Sequence, residues 1–138
     1  MRRLILVVLF FAVIGCNKEN AIEPVPSGAF QYRAYDTTGT LIVNGSFTLI
    51  IQDSSHIKGE WHFTKMNDPH DVTGPQFGDG QLSGIFLDSI LSINLNPKFV
   101  DNNVLLCGRF TGNDYIGTWN WMSYIGWTGR GSFDAHRQ

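Results

Sequence analysis

The sequence predicts an all-β protein, an eight-stranded antiparallel up-and-down meander barrel, with a two-sheet β-sandwich as the alternative architecture. From Gly28 onward, apolar and polar residues alternate with a period of two, and no helical period is sustained. One five-residue pattern with a central glycine recurs six times within this alternation. The 138 residues include 15 glycines and are 13% aromatic, and recurring glycines and aromatic residues are typical of small barrels.

The first and fifth strands are predicted from alternation alone. Phe30, Tyr32 and Ala34 alternate with polar residues at the start of the domain, and Leu91 and Ile93 do so in its middle. The other six strands each contain one copy of the five-residue pattern. The eight predicted strands cover residues 29–36, 43–52, 56–64, 81–87, 89–96, 103–110, 114–121 and 127–135.

The repeated pattern places an apolar or small residue, a glycine and an aromatic residue at its first, third and fifth positions. Successive side chains of a strand point to opposite faces, so these three positions share one face, which we predict to be the interior. A glycine normally weakens a strand, but here we expect it to let the sheet bend and to leave room for a neighbouring ring. The copies lie at 43–47, 57–61, 82–86, 106–110, 115–119 and 129–133.

The predicted loops differ in length between the two ends of the barrel. In an up-and-down barrel, successive connections lie at alternate ends. The connections after strands two, four and six are predicted to be short. The first strand begins at the end that carries these short connections, so the preceding chain is expected to attach there. The longer connections, after strands one, three, five and seven, are predicted at 37–42, 65–80, 97–102 and 122–126.

The first fifteen residues have the features of an export signal. Arg2 and Arg3 precede the apolar residues 4–14, which have the length of a signal-peptide core and are too few to span a membrane. The Val-Ile-Gly-Cys run at 13–16 resembles the lipobox of bacterial lipoproteins. In that family the cysteine, here Cys16, is linked to diacylglycerol and becomes the new N-terminus.

The resemblance to lipoproteins implies three parts of the chain: a removed signal peptide (1–15), a lipidated Cys16 that opens a flexible tether (16–27), and a β-barrel domain (28–138). The alternative is an ordinary secretory signal whose Cys16 pairs with Cys107 in an oxidising compartment. If Cys16 carries lipid, Cys107 is expected to be an inert buried thiol, because its neighbours in sequence are apolar.

The net charge argues against one class of partner, and the residue after the cysteine indicates the location of the protein. Removal of residues 1–15 also removes two arginines, which changes the formal net charge from −2 to −4 and leaves no basic face for nucleic acid. Asn17, rather than an aspartate, follows Cys16, and in enterobacterial lipoproteins this implies the outer membrane. The expected location is therefore the bacterial cell envelope, at the periplasmic or surface face of the outer membrane, with the lipid as the membrane contact.

The strand count and the Gly-x-aromatic strands resemble the streptavidin and lipocalin group of eight-stranded barrels, and also envelope lipoproteins of similar size. This resemblance implies a barrel for nearly all of residues 28–138. It implies no biotin-type site, because such a site needs several inward hydroxyls and amides, whereas the predicted inward positions are apolar. A shared fold does not imply a shared function, so function has to be argued from particular residues.

An aromatic cluster in or beside the last predicted turn is the first candidate for binding a ligand or partner. Turns are usually polar, so a cluster there either plugs the barrel or forms a rim that contacts another molecule. Phe77 is a further candidate, because it lies in the long connection 65–80 and loops of that length are often functional. Five of the seven residues 121–127 are large and apolar, and with the preceding Trp119 they give the candidate binding residues Trp119, Trp121, Tyr124 and Trp127.

No catalytic, cofactor or metal site is predicted, and the chain is not expected to be an enzyme. The sequence lacks a Gly-x-Ser-x-Gly elbow, a phosphate-binding glycine loop and a His-Glu-x-x-His pair. The segment 67–71 contains carboxylates and His70, but their spacing matches neither a calcium nor a zinc template, so we interpret it as a solvated turn. His56 and His62 fall on the predicted outer face of the third strand.

Three functional hypotheses follow. The leading one is a lipid-anchored, non-catalytic binding module whose long-loop end or aromatic-lined interior takes a small apolar or carbohydrate ligand. This hypothesis predicts a void in the interior near Trp119, Trp121, Trp127 and Phe133.

The second hypothesis is an interaction with another protein, as in small barrel lipoproteins that inhibit lysozyme. Residues 83–87 resemble their Ser-Gly-x-x-Tyr motif, but leucine stands in the tyrosine position and no inhibitory residue is transferred. The third is a structural envelope protein with a filled core.

Overall fold

The computed structural model describes residues 27–66 and 73–138. Eight antiparallel strands in that part of the chain form one closed barrel, with each strand paired to the next and the last paired to the first. The predicted up-and-down barrel is confirmed, and a two-sheet sandwich is excluded. The strands are β1 Gly28–Tyr35, β2 Leu41–Ile51, β3 His56–Lys65, β4 Gly78–Leu87, β5 Ile90–Asn94, β6 Asn102–Thr111, β7 Asp114–Ser123 and β8 Gly126–Arg137.

Several sequence predictions fall outside the described residues. These are the signal peptide (1–15), the lipidation of Cys16, the tether up to residue 26 and the segment 67–71. None of the described residues belongs to a helix long and apolar enough to cross a membrane.

The inward face of the barrel is the one that the five-residue pattern predicts. In β3, Ile57, Gly59, Trp61 and Phe63 are buried, and the residues between them are exposed. This alternation follows from the strand geometry, in which every second side chain points to the interior. The largest fully buried side chains are Trp119, Tyr32, Tyr115, Phe30, Phe47, Phe63 and Phe133.

The interior is filled by aromatic rings that contact one another. Tyr32 stacks on Phe63 with ring centroids 4.4 Å apart, and Phe30 stacks on Phe47 at 5.2 Å. The ring of Phe133 lies 5.8 Å from that of Tyr32. Packed rings therefore occupy the region around Phe133 where a void was predicted.

Close contact between neighbouring backbones explains the repeated glycine. Gly59 of β3 faces β2 so closely that a Cβ atom at this position would overlap the carbonyl oxygen of Thr48. Gly117 of β7 lies equally close to the carbonyl oxygen of Cys107 on β6. The glycines thus allow tight curvature of the wall, as the sequence predicted.

The short connections lie at one end of the barrel, which we call the short-loop end, where β1 begins. One of them, the β4–β5 turn, has positive φ values at both Asp88 and Ser89, 51° and 66°, as in the type I′ turns of tight hairpins. At the opposite, long-loop end lie the connections 36–40 and 95–101 and the described residues 66 and 73–77 of the β3–β4 connection. The predicted long connection between β7 and β8 is a two-residue turn at 124–125 instead, because both strands continue further than the sequence indicated.

β5 ends at Asn94, before the predicted end at residue 96. The side chain of Asn94 accepts a hydrogen bond from the backbone N–H of Asn96 at 2.8 Å, which forms a local turn. The N–H of Leu95 donates to the carbonyl oxygen of Val104 on β6 at 2.9 Å, so the chain follows β6 away from β4. The β4–β5 ladder consequently begins only at Ser83, and the first residues of β4 separate from the connection that follows β5.

Candidate functional site

The described part of the β3–β4 connection closes the long-loop end of the barrel. The polar residues Thr73 and Gln76 are buried there. The hydroxyl of Tyr32 donates a hydrogen bond to Oε1 of Gln76 at 2.8 Å, and Nε2 of Gln76 donates to the carbonyl oxygen of Thr73 at 3.0 Å. Both polar atoms of the Gln76 amide have partners, so its burial is compensated. Residues 73–76, which we call the cap, therefore take the plugging role that was one alternative for the aromatic cluster.

The first two tryptophans of the cluster hold the long-loop end together. Trp119 is fully buried, and its indole N–H donates to the carbonyl oxygen of Tyr35 at 2.8 Å, where β1 ends. Trp121 is partly buried, and its indole N–H donates to Oδ1 of Asn102 at 2.8 Å. Gly74 of the cap lies against the Trp121 ring, with a positive φ of 57° and a virtual Cβ only 2.6 Å from that ring. These indoles join the cap and the neighbouring strands.

Trp127 lies on the outer face of the barrel, whereas strict alternation along β8 predicts an inward position. The pairing shifts by one residue here, because Trp121 pairs with Gly129 while Met122 pairs with Trp127. Thr128 is the additional residue of this β-bulge, and it reverses the faces of the residues before it. Trp127 is consequently 65% exposed.

The two residues of the β7–β8 turn are the most exposed members of the cluster region. Tyr124 is 86% exposed and Ile125 is 82% exposed. Together with Trp127 they form a protruding apolar surface, which we call the aromatic tip. Large apolar side chains that stay exposed to water do not gain the free energy of burial. Exposed patches of such side chains therefore often mark interaction sites.

An open strand edge runs beside the aromatic tip. The β1–β8 ladder ends at the pair Tyr35–Ser132, so within the described part of the chain no strand pairs with residues 126–131 on this side. β1 ends here because Asp36 begins a turn, in which its carboxylate accepts hydrogen bonds from the backbone N–H groups of Thr38 and Thr40. We call residues 126–131 the open edge.

A cleft of about 480 Å³ adjoins the open edge on the outer face. Trp127 supplies its aromatic wall, and Arg130 supplies a cation. The open edge thus combines backbone groups that can pair with an added strand and a cleft that can take side chains from it. The other residues of the cleft are Asn120, Thr128 and Gly129.

Phe77 is exposed at the same end of the barrel, but it is not part of the aromatic tip. The ammonium nitrogen of Lys65 lies 5.8 Å from the centroid of its ring, a cation–π arrangement. Among the described residues, no ring contact joins Phe77 to Tyr124 or to Trp127. Of the five sequence-predicted binding residues, two are therefore exposed at the tip, two stabilise the fold and Phe77 stands apart.

The two histidines of β3 lie on its exposed face, as predicted. Nδ1 of His56 forms a hydrogen bond with the Asp53 carboxylate at 2.9 Å, and His62 forms one with Asp79. The described part of the chain contains no group of three His, Cys, Asp or Glu side chains that could hold a metal ion. The segment 67–71 lies outside that part.

Cys107 is exposed, so the prediction that it is a buried thiol is wrong. It stands between Leu106 and Gly108, which are both buried, and alternation therefore places it on the outer wall. The hydroxyl of Ser92 donates a weak hydrogen bond to its sulfur at 3.8 Å.

Two interior tyrosines are held in the neutral form. Burial raises the pKa of Tyr32 well above its ordinary value of 10.0, and the carboxylate of Asp134 raises it further. Burial likewise raises the pKa of Tyr115, whose hydroxyl donates to the carbonyl oxygen of Leu91 at 2.8 Å. Both hydroxyls act as hydrogen-bond donors inside the barrel, so the interior depends on their remaining protonated.

Alkaline pH is expected to destabilise the barrel. An unfolded tyrosine loses its proton near pH 10, whereas buried Tyr32 and Tyr115 keep theirs, so the unfolded state binds fewer protons and the free energy of unfolding falls above about pH 10. Urea denaturation between about pH 8 and pH 11 measures this slope. A Tyr32→Phe variant should show a shallower slope, and an equal slope in both proteins would contradict the assignment.

No family model, curated protein or solved structure matches the chain.

Proposed function

We propose that the chain is a non-catalytic binding module that recruits an extended segment of a partner protein to the open edge of β8. The observation that carries this proposal is the early end of β1, which leaves residues 126–131 without a strand neighbour in the described part of the chain. An exposed edge offers alternating N–H and C=O groups, and a strand from another protein satisfies them. Side chains of that strand would enter the cleft beside Trp127.

The aromatic tip supports a protein as the partner. Tyrosine and tryptophan are enriched in protein interfaces because each buries a large apolar area and still carries a hydrogen-bonding group. Tyr124 and Trp127 are both exposed; Trp127 belongs to the open edge, and Tyr124 lies in the turn that precedes it. The filled interior supports a surface site over a ligand enclosed in the barrel, and the exposed tip supports recognition over a purely structural role.

A lipid on Cys16 and an outer-membrane location are part of the proposal. The lipid is supported by the apolar residues 4–14 and by the glycine that precedes Cys16, and the outer-membrane location is supported by Asn17, which follows Cys16. Because β1 begins at the short-loop end, a lipid anchor would hold that end near the membrane. The aromatic tip would then face away from the membrane, towards a partner in the envelope or outside the cell.

Cys16→Ser is expected to move the protein from the membrane fraction to the soluble fraction. Serine lacks the thiol that forms the thioether with the lipid, so the anchor is lost. Fractionation of bacteria that express the full chain, followed by immunoblotting, measures the change. Cys107→Ser is the matched control and should stay with the membranes. A Cys16→Ser protein that also stays there would contradict lipid anchoring.

Site-specific photo-crosslinking tests the partner-binding surface. The full chain carries a benzophenone amino acid in place of Ile125 in the cells that naturally produce it, and a control chain carries it in place of Ile116, an exposed residue near the other end of β7. We expect one dominant crosslinked protein from position 125 and none from position 116. Identical products from both positions, or none from either, would contradict the proposal.

Removal of the aromatic tip should abolish that crosslink. With the benzophenone at position 125, the double substitution Tyr124→Ser and Trp127→Ser is expected to lower the yield at least about tenfold, because two interface anchors are lost. The matched control replaces Ile50 and Ile116, exposed apolar residues towards the short-loop end, by serine. Thermal unfolding of each variant verifies that the barrel is intact. An unchanged yield would show that the tip does not bind the partner.

A further inference from the structure

A second cleft, of about 670 Å³, lies on the outer wall where β4 and the connection after β5 separate. The separation follows from the short β5, because the β4–β5 ladder begins only at Ser83. The chain then forms a tight turn over residues 96–99, in which the N–H of Phe99 donates to the carbonyl oxygen of Asn96 at 3.0 Å. Pro97 occupies the second position of this turn, where its fixed φ is favourable. The turn is therefore a defined wall of the cleft.

A buried indole lies beneath the cleft, and an exposed phenyl ring lies at its side. The indole N–H of Trp61 donates to the carbonyl oxygen of Leu95 at 2.6 Å and so bridges the gap between β4 and β5 from within. Gly80 lies directly against this indole, and a Cβ atom at Gly80 would be 2.5 Å from it. The missing side chain thus makes room for Trp61 on the inner side of the wall, and only an edge of its buried ring borders the cleft. Phe99, which is 63% exposed, supplies the aromatic ring that a ligand can contact.

The walls carry polar side chains that are available to a ligand. Glu60, Gln81 and Lys98 line the cleft, and in the described part of the chain no hydrogen bond or ion pair involves their side chains. They supply a carboxylate acceptor, an amide with donors and an acceptor, and an ammonium donor. The neighbouring His62 and Asp79 are hydrogen-bonded to each other and form a fixed part of the wall.

From this combination we infer that the outer-wall cleft is an oligosaccharide-binding site, separate from the open edge and independent of it. A sugar ring has an apolar face that packs on aromatic rings and hydroxyls that both donate and accept hydrogen bonds. The exposed ring of Phe99 supplies the aromatic surface, and the unpaired polar groups supply partners for the hydroxyls. The volume lies within the range of ordinary ligand clefts.

The charge and shape of the cleft favour an oligosaccharide over other ligands. The unpaired charges are one carboxylate, Glu60, and one ammonium, Lys98, so the cleft has no excess of positive charge for a phosphate or nucleotide. The lining extends from Ala29 of β1 to Gln81 of β4, and three strand spacings correspond to about 14 Å. An elongated, polar cleft with an exposed aromatic ring at its side suits a chain of sugar rings more than a compact apolar molecule.

Isothermal titration calorimetry of the full-length protein in detergent micelles tests this site, with cellohexaose, maltohexaose and chitohexaose as probes. We expect saturable binding of at least one hexasaccharide at one site per chain. Phe99→Ala should weaken that binding at least about tenfold, and Glu60→Gln should weaken it severalfold. Val100→Ala is the matched control, because Val100 adjoins Phe99 and is exposed but does not line the cleft.

The outcomes separate this site from the partner-binding edge. The double variant Tyr124→Ser and Trp127→Ser should bind the hexasaccharide like the unmodified protein, whether or not it retains the protein crosslink. No saturable heat with any of the three sugars up to about 5 mM would overturn the inference. Binding that Phe99→Ala and Glu60→Gln leave unchanged would also overturn it, because the sugar would then lie elsewhere.

Discussion

A Gly59→Val variant is expected to lose about 3 kcal/mol or more of its free energy of unfolding. Gly59 faces the interior of β3, and a side chain there would overlap the carbonyl oxygen of Thr48 on β2. The clash involves backbone on one side and, on the other, the Leu82 side chain, 3.3 Å from the virtual Cβ. Relief therefore requires β2 and β3 to move apart. Urea denaturation monitored by circular dichroism measures the loss.

Lys58→Val is the matched control for Gly59→Val. Lys58 is the preceding residue of the same strand and lies on the exposed face. Valine suits a strand, so the free energy of unfolding should change by no more than about 0.5 kcal/mol. Gly117→Val should reproduce the large loss, because it meets the Cys107 backbone in the same way. Equal losses at Gly59 and Lys58 would show that the two residues do not face opposite sides of the wall.

Trp119→Ala is expected to cost about 4 kcal/mol of stability, the middle of the range for removal of a buried aromatic side chain. Trp119 is fully buried, and its indole N–H is a hydrogen-bond donor to the carbonyl oxygen of Tyr35. The substitution leaves both a cavity and an acceptor without this donor at the end of β1. The midpoint of urea denaturation at constant slope gives the change.

Trp127→Ala supplies the comparison, because it removes the same side chain from an exposed position on the neighbouring strand. Its cost should stay within about 0.5 kcal/mol, while partner binding is lost. The two variants thus assign one tryptophan to the core and the other to recognition. A large loss of stability from Trp127→Ala would instead show that the aromatic tip is packed against the barrel.

The strands and their faces could be predicted because alternation is a local property of the sequence. Trp61 and Phe133 both occupy the fifth position of the repeat, and both are buried in the barrel. The glycine two residues before each aromatic also indicated the close approach of neighbouring strands. Strand ends were less predictable, because the ends depend on which partner each strand meets. β5 is one example, since hydrogen bonding of Leu95 to β6 draws the chain away from β4.

The candidate site was harder to predict from the sequence than the strands were. The positions of its side chains depend on contacts between residues that are far apart in the chain. The outward position of Trp127 results from one additional residue in the β7–β8 ladder, and that shift is visible only when both strands are aligned. Burial of Gln76 depends on the hydroxyl of Tyr32, 44 residues earlier in the chain. Cys107 is different, because its place between Leu106 and Gly108 already indicated an outward side chain. Apolar neighbours in sequence do not indicate burial in a strand, because adjacent side chains point to opposite faces.

The ladder between β1 and β8 also determines the order in which the barrel can assemble. It pairs Phe30 with Arg137, whereas every other ladder joins strands that are consecutive in sequence. Hairpins between consecutive strands need only short loops to close, and pairing the first strand with the last is the slowest contact to establish. A nascent chain is therefore expected to exist as a growing open sheet until β8 is available. Throughout that interval β1 exposes an unpaired edge to other chains, so aggregation competes with the final closure step.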